Sequence, residues 1–343
     1  MGPYDEGYRG NEPPVYSTGH GFYNPYAEPE WKREKRRIRG SGNGIGLASL
    51  GYVAISFAAG TLMYIVLSAL LRYTPISYEI AEWVMTLAIY VFSLVVPFGI
   101  YMLCIKIPLG VALPFRKPAA DMTVGGVFVG LGVGVAASYV TAYLESALGL
   151  FGIGITMPEY DVPKSFFALI LYLVAMVVAP AFIEEMIFRG VVMQSLRRFG
   201  DTFALVASAL IFGIFHLNLI QMPYAFILGL CIGYFVMRTG SLWVGVLIHF
   251  VNNSVAVIFT LAEPLLSENA YMLLNLVYAL GAVLCGIIAV CILLSRHRDM
   301  FRFVKTPSIL SPGKRVQYFI TSPALVIAMV VAVLLTLQYV YII

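Results

Sequence analysis

The sequence predicts an all-α, polytopic integral membrane protein, a helical bundle of about nine transmembrane helices with its N-terminus in the cytoplasm. Three observations predict it. Of the 343 residues, 60% are hydrophobic and only 12% are charged, about half the charged share of a soluble domain. Apolar runs of spanning length, roughly 17–25 residues, begin near residues 45, 80, 122, 166, 202, 222, 241, 270 and 318. The loops between these runs alternate in charge, basic on one side and acidic on the other.

Taken in order, residues 1–31 are polar, rich in Gly, Pro and Tyr, and carry a charge of −4 up to Glu30, from one Arg and five acids. They lack the apolar run of a signal sequence and are expected to be disordered. Glu6 stands where a myristoylation signal needs Ser or Thr, so no lipid is implied. The stretch WKREKRRIR, Trp31–Arg39, then sets six basic residues against one acid beside the first apolar run. Such a cluster anchors a chain to the cytoplasmic leaflet. Residues 1–40 therefore read as a disordered tail with a juxtamembrane basic cluster, and 41–343 as the membrane domain.

With the N-terminus inside, nine spans place Lys106, Arg116, Lys117, Arg197, Arg198, Arg238, Arg296, Arg298, Arg302, Lys305, Lys314 and Arg315 in inside loops. Outside loops hold Glu159, Asp161, Glu263 and Glu268, against the bases Arg72 and Lys164. The third run carries Gly126, Gly130 and Gly134 at four-residue spacing, a stripe that lets helices approach closely, here for packing within the chain. Cys104, Cys231, Cys285 and Cys291 all lie in apolar stretches without paired-ligand spacing, which excludes a zinc knuckle and reads as packed thiols. A net charge of +4, confined mostly to loops, gives nucleic acid nothing to bind.

Against this apolar background, Glu184, Glu185, His216 and His249 are out of place. An ionisable side chain inside a bilayer costs several kcal/mol and marks a functional cavity. Glu184 lies 16 residues before Gly200 and His216 lies 16 residues after it, so a helical hairpin turning at Gly200-Asp201 brings both to similar depth. His249 is eight residues beyond Ser241, at the start of the seventh run. Adjacent glutamates on a helix point ~100° apart, which gives them different jobs. Glu185 precedes Arg189 by four residues, the favoured order for a helix ion pair, and takes a supporting role. Glu184 is left to face the cavity as a general base acting on water. Asn253, four residues past His249, shares its face and offers a neutral donor to a developing oxyanion, with Asn252 as a second candidate. Phe212, four residues before His216, reads as a wall. Pro180 interrupts the fourth run four residues before Glu184, where a kink opens space beside the carboxylate.

The pattern E-E-x-x-x-R (Glu184, Glu185, Arg189), F-x-x-x-H (Phe212, His216) and H-x-x-x-N (His249, Asn253) resembles the CAAX prenyl endopeptidase and bacteriocin-processing family of intramembrane proteases. The likeness covers roughly residues 120–260. It implies that Glu184 and His216 activate a water for peptide hydrolysis and that His249 and Asn253 stabilise the oxyanion. The family has been described both as zinc enzymes and as metal-independent glutamate proteases. His216, His249 and Glu184 offer a zinc ion three ligands, but no H-E-x-x-H helix is present. If Glu184 bound zinc, another base would be needed, so metal-independent chemistry is the expectation. The implied substrate is a membrane-associated peptide or protein, and nothing in the chain marks an isoprenyl pocket. A bacterial plasma membrane is the expected location. The competing readings are a non-catalytic immunity or scaffold protein that binds a peptide, and a proton-coupled transporter. The missing internal repeat argues against the transporter.

Overall fold

The computed structural model describes residues 16–17, 22–23, 28–73, 77–157, 161–300 and 308–343. Most of the polar tail, together with Glu159, Arg302 and Lys305, falls outside the described residues. The described chain is helical almost throughout. Its strands are two short antiparallel pairs, Tyr16–Ser17 with Phe22–Tyr23 and Ile153–Ile155 with Val340–Ile342.

Helix α1 runs unbroken over Glu30–Tyr73. At 44 residues it is ~66 Å long, about twice a hydrocarbon core. The basic cluster Trp31–Arg39 is the first part of this helix. Helix α2, Tyr78–Cys104, starts at Ser77, whose hydroxyl accepts the Ile80 N–H. Helix α3 is Ala120–Leu150. Helix α4, Phe166–Phe199, is capped by Ser165 and changes register along its length. Helix α5 is Asp201–Ile214, α6 is Gln221–Thr239, and α7 is Leu242–Ala262 with Ser241 accepting the Trp243 N–H. Helix α8, Glu268–Arg296, begins at a Ser267 cap, and α9, Pro312–Ile320, precedes α10, Pro323–Thr336.

Every expected span is a helix, but not every helix spans. Among the described residues seven are long and apolar enough to cross a membrane, or eight if α9 and the segment Pro323–Tyr339, bent by 68°, count as one. The expected count of nine is not reached because of α5. Its 14 residues rise ~21 Å, short of a ~30 Å hydrocarbon core. Hydropathy fails to reveal this because the apolar run continues past the end of the helix at Ile214.

Helix α3 packs lengthwise on α6, α7 and α8, while α1 packs on α2 and α10. The glycine stripe does what its spacing suggests, within the chain. A side chain at Gly126 would meet Phe235 and Ile248, one at Gly130 would run into Ile248, and one at Gly134 would press on Asn252 and the Tyr224 hydroxyl. The buried core formed by α4 to α7, with Phe188, Val192, Met193, Phe212, Ile232 and Ile248, closes around the polar residues. Gly130→Ala should therefore overpack the α3–α7 contact at about 1–3 kcal/mol, read as a lower Tm of the solubilised protein. Gly281→Ala on α8, with open space around it, should leave Tm unchanged or raise it.

Candidate active site

Helix α4 leaves α-helical register twice, and Glu184 lies between the two departures. Val174–Val178 and Glu185–Val192 are π-helical, separated by the α-helical stretch Ala179–Glu184. Such segments recur at functional sites because they displace side chains and free carbonyls. Pro180 has no N–H to return to the Met176 carbonyl four residues back. That carbonyl accepts instead from Asn253 Nδ2 on α7, at 3.2 Å. In the second π segment, the Phe188 carbonyl accepts from the Ser208 hydroxyl on α5 at 2.7 Å, and the Arg189 carbonyl from Gln194 Nε2 at 3.2 Å. The irregular backbone is tolerable because side chains satisfy it inside the bundle.

Glu185 and Arg189 form the expected pair. Arg189 Nη1 donates to Glu185 Oε1 at 2.8 Å, and neither side chain has any exposed surface. Arg189 turns its flat face onto the ring of Phe212, with 4.0 Å from the guanidinium carbon to the centroid. Gly229 and Gly245 leave the room required. A Cβ at Gly229 would stand 3.1 Å from Arg189 Nη2, and one at Gly245 3.0 Å from Glu185 Oε2.

Glu185 does more than hold Arg189. Its Oε1 also accepts from His249 Nδ1 at 2.9 Å. The other ring nitrogen, Nε2, faces Glu184 Oε2 at 3.8 Å. Although adjacent glutamates diverge on their helix, both reach His249, because the two nitrogens of an imidazole also point apart. A carboxylate can only accept, so Nδ1 of His249 carries a proton. His216 is fixed in the same sense: its Nδ1 lies 2.9 Å from the Phe212 carbonyl, which sets the proton there and leaves Nε2 as the acceptor nitrogen.

Phe212 is more than a wall. Its ring meets His216 edge-on at 4.9 Å and His249 at 5.9 Å, with Arg189 over its face. One buried phenyl ring thus joins both histidines to the ion pair. His216 and His249 both meet the Phe212 ring, and His249 Nε2 faces Glu184, so the three sequence-predicted residues gather in one part of the bundle.

Asn253 is brought to the fourth helix but is bonded to its backbone, which is the interhelical role a membrane Asn commonly plays. Asn252 accepts from the Tyr224 hydroxyl at 2.8 Å. A residue that sequence reasoning missed is Tyr90 on α2, whose hydroxyl donates to Glu184 Oε1 at 2.7 Å. One Tyr in an apolar run carries no signal of its own. Among the described residues no group of three or more His, Cys, Asp and Glu side chains is arranged to hold a metal ion.

Fold and site together define an integral membrane protein whose helices enclose a Glu–Glu–His–His centre braced by a buried arginine. Residues 166–255, about a quarter of the chain, match the family model described as type II CAAX prenyl endopeptidase, Rce1-like. The match supports, for this segment, a fold similar to that of the CAAX-type intramembrane proteases. No curated protein and no solved structure matches the chain.

Removing one partner of a fully buried ion pair costs about 3–5 kcal/mol, because the other charge stays uncompensated. Glu185→Gln should accordingly lower Tm strongly in thermal unfolding of the solubilised protein. Glu185→Gln combined with Arg189→Met should recover most of that loss, because no buried charge remains.

Proposed function

We propose that the chain is an intramembrane endopeptidase that hydrolyses a peptide bond of a membrane-associated protein or peptide, with Glu184 as general base. The observation that carries this reading is the geometry at Glu184. One carboxylate oxygen is anchored by Tyr90, and the other lies 3.8 Å from His249 Nε2. That gap is too long for a direct hydrogen bond, but a water beside both atoms reaches each at normal length.

In this reading Glu184 takes a proton from the water as its oxygen adds to the scissile carbonyl carbon. His216, with Nδ1 committed to the Phe212 carbonyl, presents Nε2 as an acceptor that orients the same water. The carbonyl oxygen becomes an oxyanion. His249, held through Nδ1 by Glu185, faces it with Nε2 and donates when that nitrogen is protonated. Asn253 contributes through its second amide hydrogen, the first being used on Met176. As the C–N bond breaks, Glu184 returns its proton to the leaving amine, giving a carboxylic acid, which then ionises to solvent, and an amine. No step passes through a metal. The reading sets the enzyme in a bacterial plasma membrane.

The test is quantitative mapping of protein termini in membranes of the native host, wild type against Glu184→Gln. Ends that require Glu184 establish proteolysis and name the substrate. His216→Ala should lose the same ends while the protein stays folded, and chelators should leave the rate on a peptide spanning that cut unchanged. Identical termini in the two strains, with a knockout phenotype that Glu184→Gln rescues, would instead make the chain a peptide-binding protein.

A further inference from the structure

Two features of Tyr90 set it apart from the other residues around Glu184. It belongs to α2, outside the matched segment 166–255. It also touches the carboxylate directly, donating to Oε1 at 2.7 Å. An ionised carboxylate has two equivalent oxygens and rotates freely unless something distinguishes them. Here one oxygen is bound to a phenol from a different helix, and the other is turned to His249 Nε2 at 3.8 Å. Glu184 also sits at the join between α- and π-helical backbone.

We infer that Tyr90 is a positioning residue of the proposed reaction, fixing Glu184 so that Oε2 alone is presented to the water. The inference rests on the endopeptidase reading. Helix α2 is well placed for this duty, because its docking on α4 does not depend on Tyr90. Eight and eleven residues further on, the same face carries Phe98, against the rings of Phe188 and Phe215, and Tyr101, whose hydroxyl lies 3.2 Å from that of Ser195. Loss of one hydroxyl leaves these contacts in place. What changes is the hold on Glu184.

The test compares wild type, Tyr90→Phe and Glu184→Gln as full-length solubilised protein. Two readouts separate positioning from structure. The first is infrared absorption: the carboxylate stretch that vanishes in Glu184→Gln should shift in Tyr90→Phe, because a hydrogen bond to one oxygen has gone. The second is kinetics on a synthetic peptide spanning a Glu184-dependent cut site. Misplacing a catalytic group should lower kcat by about 10–100-fold, with KM and Tm unchanged. If Tyr90→Phe cleaves within about twofold of wild type while Glu184→Gln is inactive, the positioning role is wrong and the protease reading stands. If Glu184→Gln itself cleaves like wild type, the protease reading falls and this inference falls with it.

Discussion

The arrangement depends on one interaction, the ion pair between Glu185 and Arg189. Both side chains are fully buried in the bundle, where an unpaired charge would be prohibitive. Once formed, the pair dictates much around it. Arg189 needs a face to lie on, which is Phe212 of α5, and Glu185 needs a second donor, which is His249 of α7. Three helices are tied together by two charges and a ring. The pair also explains why α6 and α7 carry Gly229 and Gly245 where they face it, since any larger residue would displace a group that has no other place to go.

The pair solves a chemical problem as well. A histidine beside two carboxylates could be drawn to either. Because Arg189 and His249 converge on the same oxygen of Glu185, that oxygen is committed, and His249 is set in one orientation with Nε2 toward Glu184. The second glutamate, held by a neutral phenol rather than a cation, keeps a free oxygen. Adjacent residues of identical type are thus given different chemistry by their partners: a cation for one and a hydroxyl for the other.

Much of this was legible in the sequence, for reasons that are local or arithmetical. Glu185 and Arg189 are four apart on one helix, so their meeting needs no knowledge of the fold. Glu184 and His216 are equidistant from Gly200, so a hairpin brings them together whatever surrounds it. What sequence could not supply depends on how helices rotate against one another. The partner of Asn253 is a carbonyl released by Pro180, 73 residues earlier in the chain, and finding it requires the packing of α4 on α7. Tyr90 is 94 residues from Glu184 and is one of 22 tyrosines in the chain. The shortness of α5 was hidden because its apolar run outlasts its helix.

That shortness is itself part of the site. Were α5 a full span, His216 would be one more residue on a continuous cylinder. Instead the helix stops at Ile214, and His216 occupies the turn beyond it, followed by Leu217 with φ of 50°. A non-glycine residue in this left-handed region is strained and persists only where its surroundings enforce it. Asn218 provides the enforcement. It is fully buried, accepts from the backbone N–H groups of Ile220 and Gln221, and donates to the Thr156 carbonyl at 3.0 Å. Thr156 in turn follows the strand Ile153–Ile155, which pairs with the C-terminal strand Val340–Ile342. The position of His216 is therefore set from both ends: by Phe212 one helical turn before it, and after it by a buried amide tied to a sheet built from the far end of the chain. A turn inside the bundle, rather than a helix through it, is what holds the His216 ring with its Nδ1 on the Phe212 carbonyl.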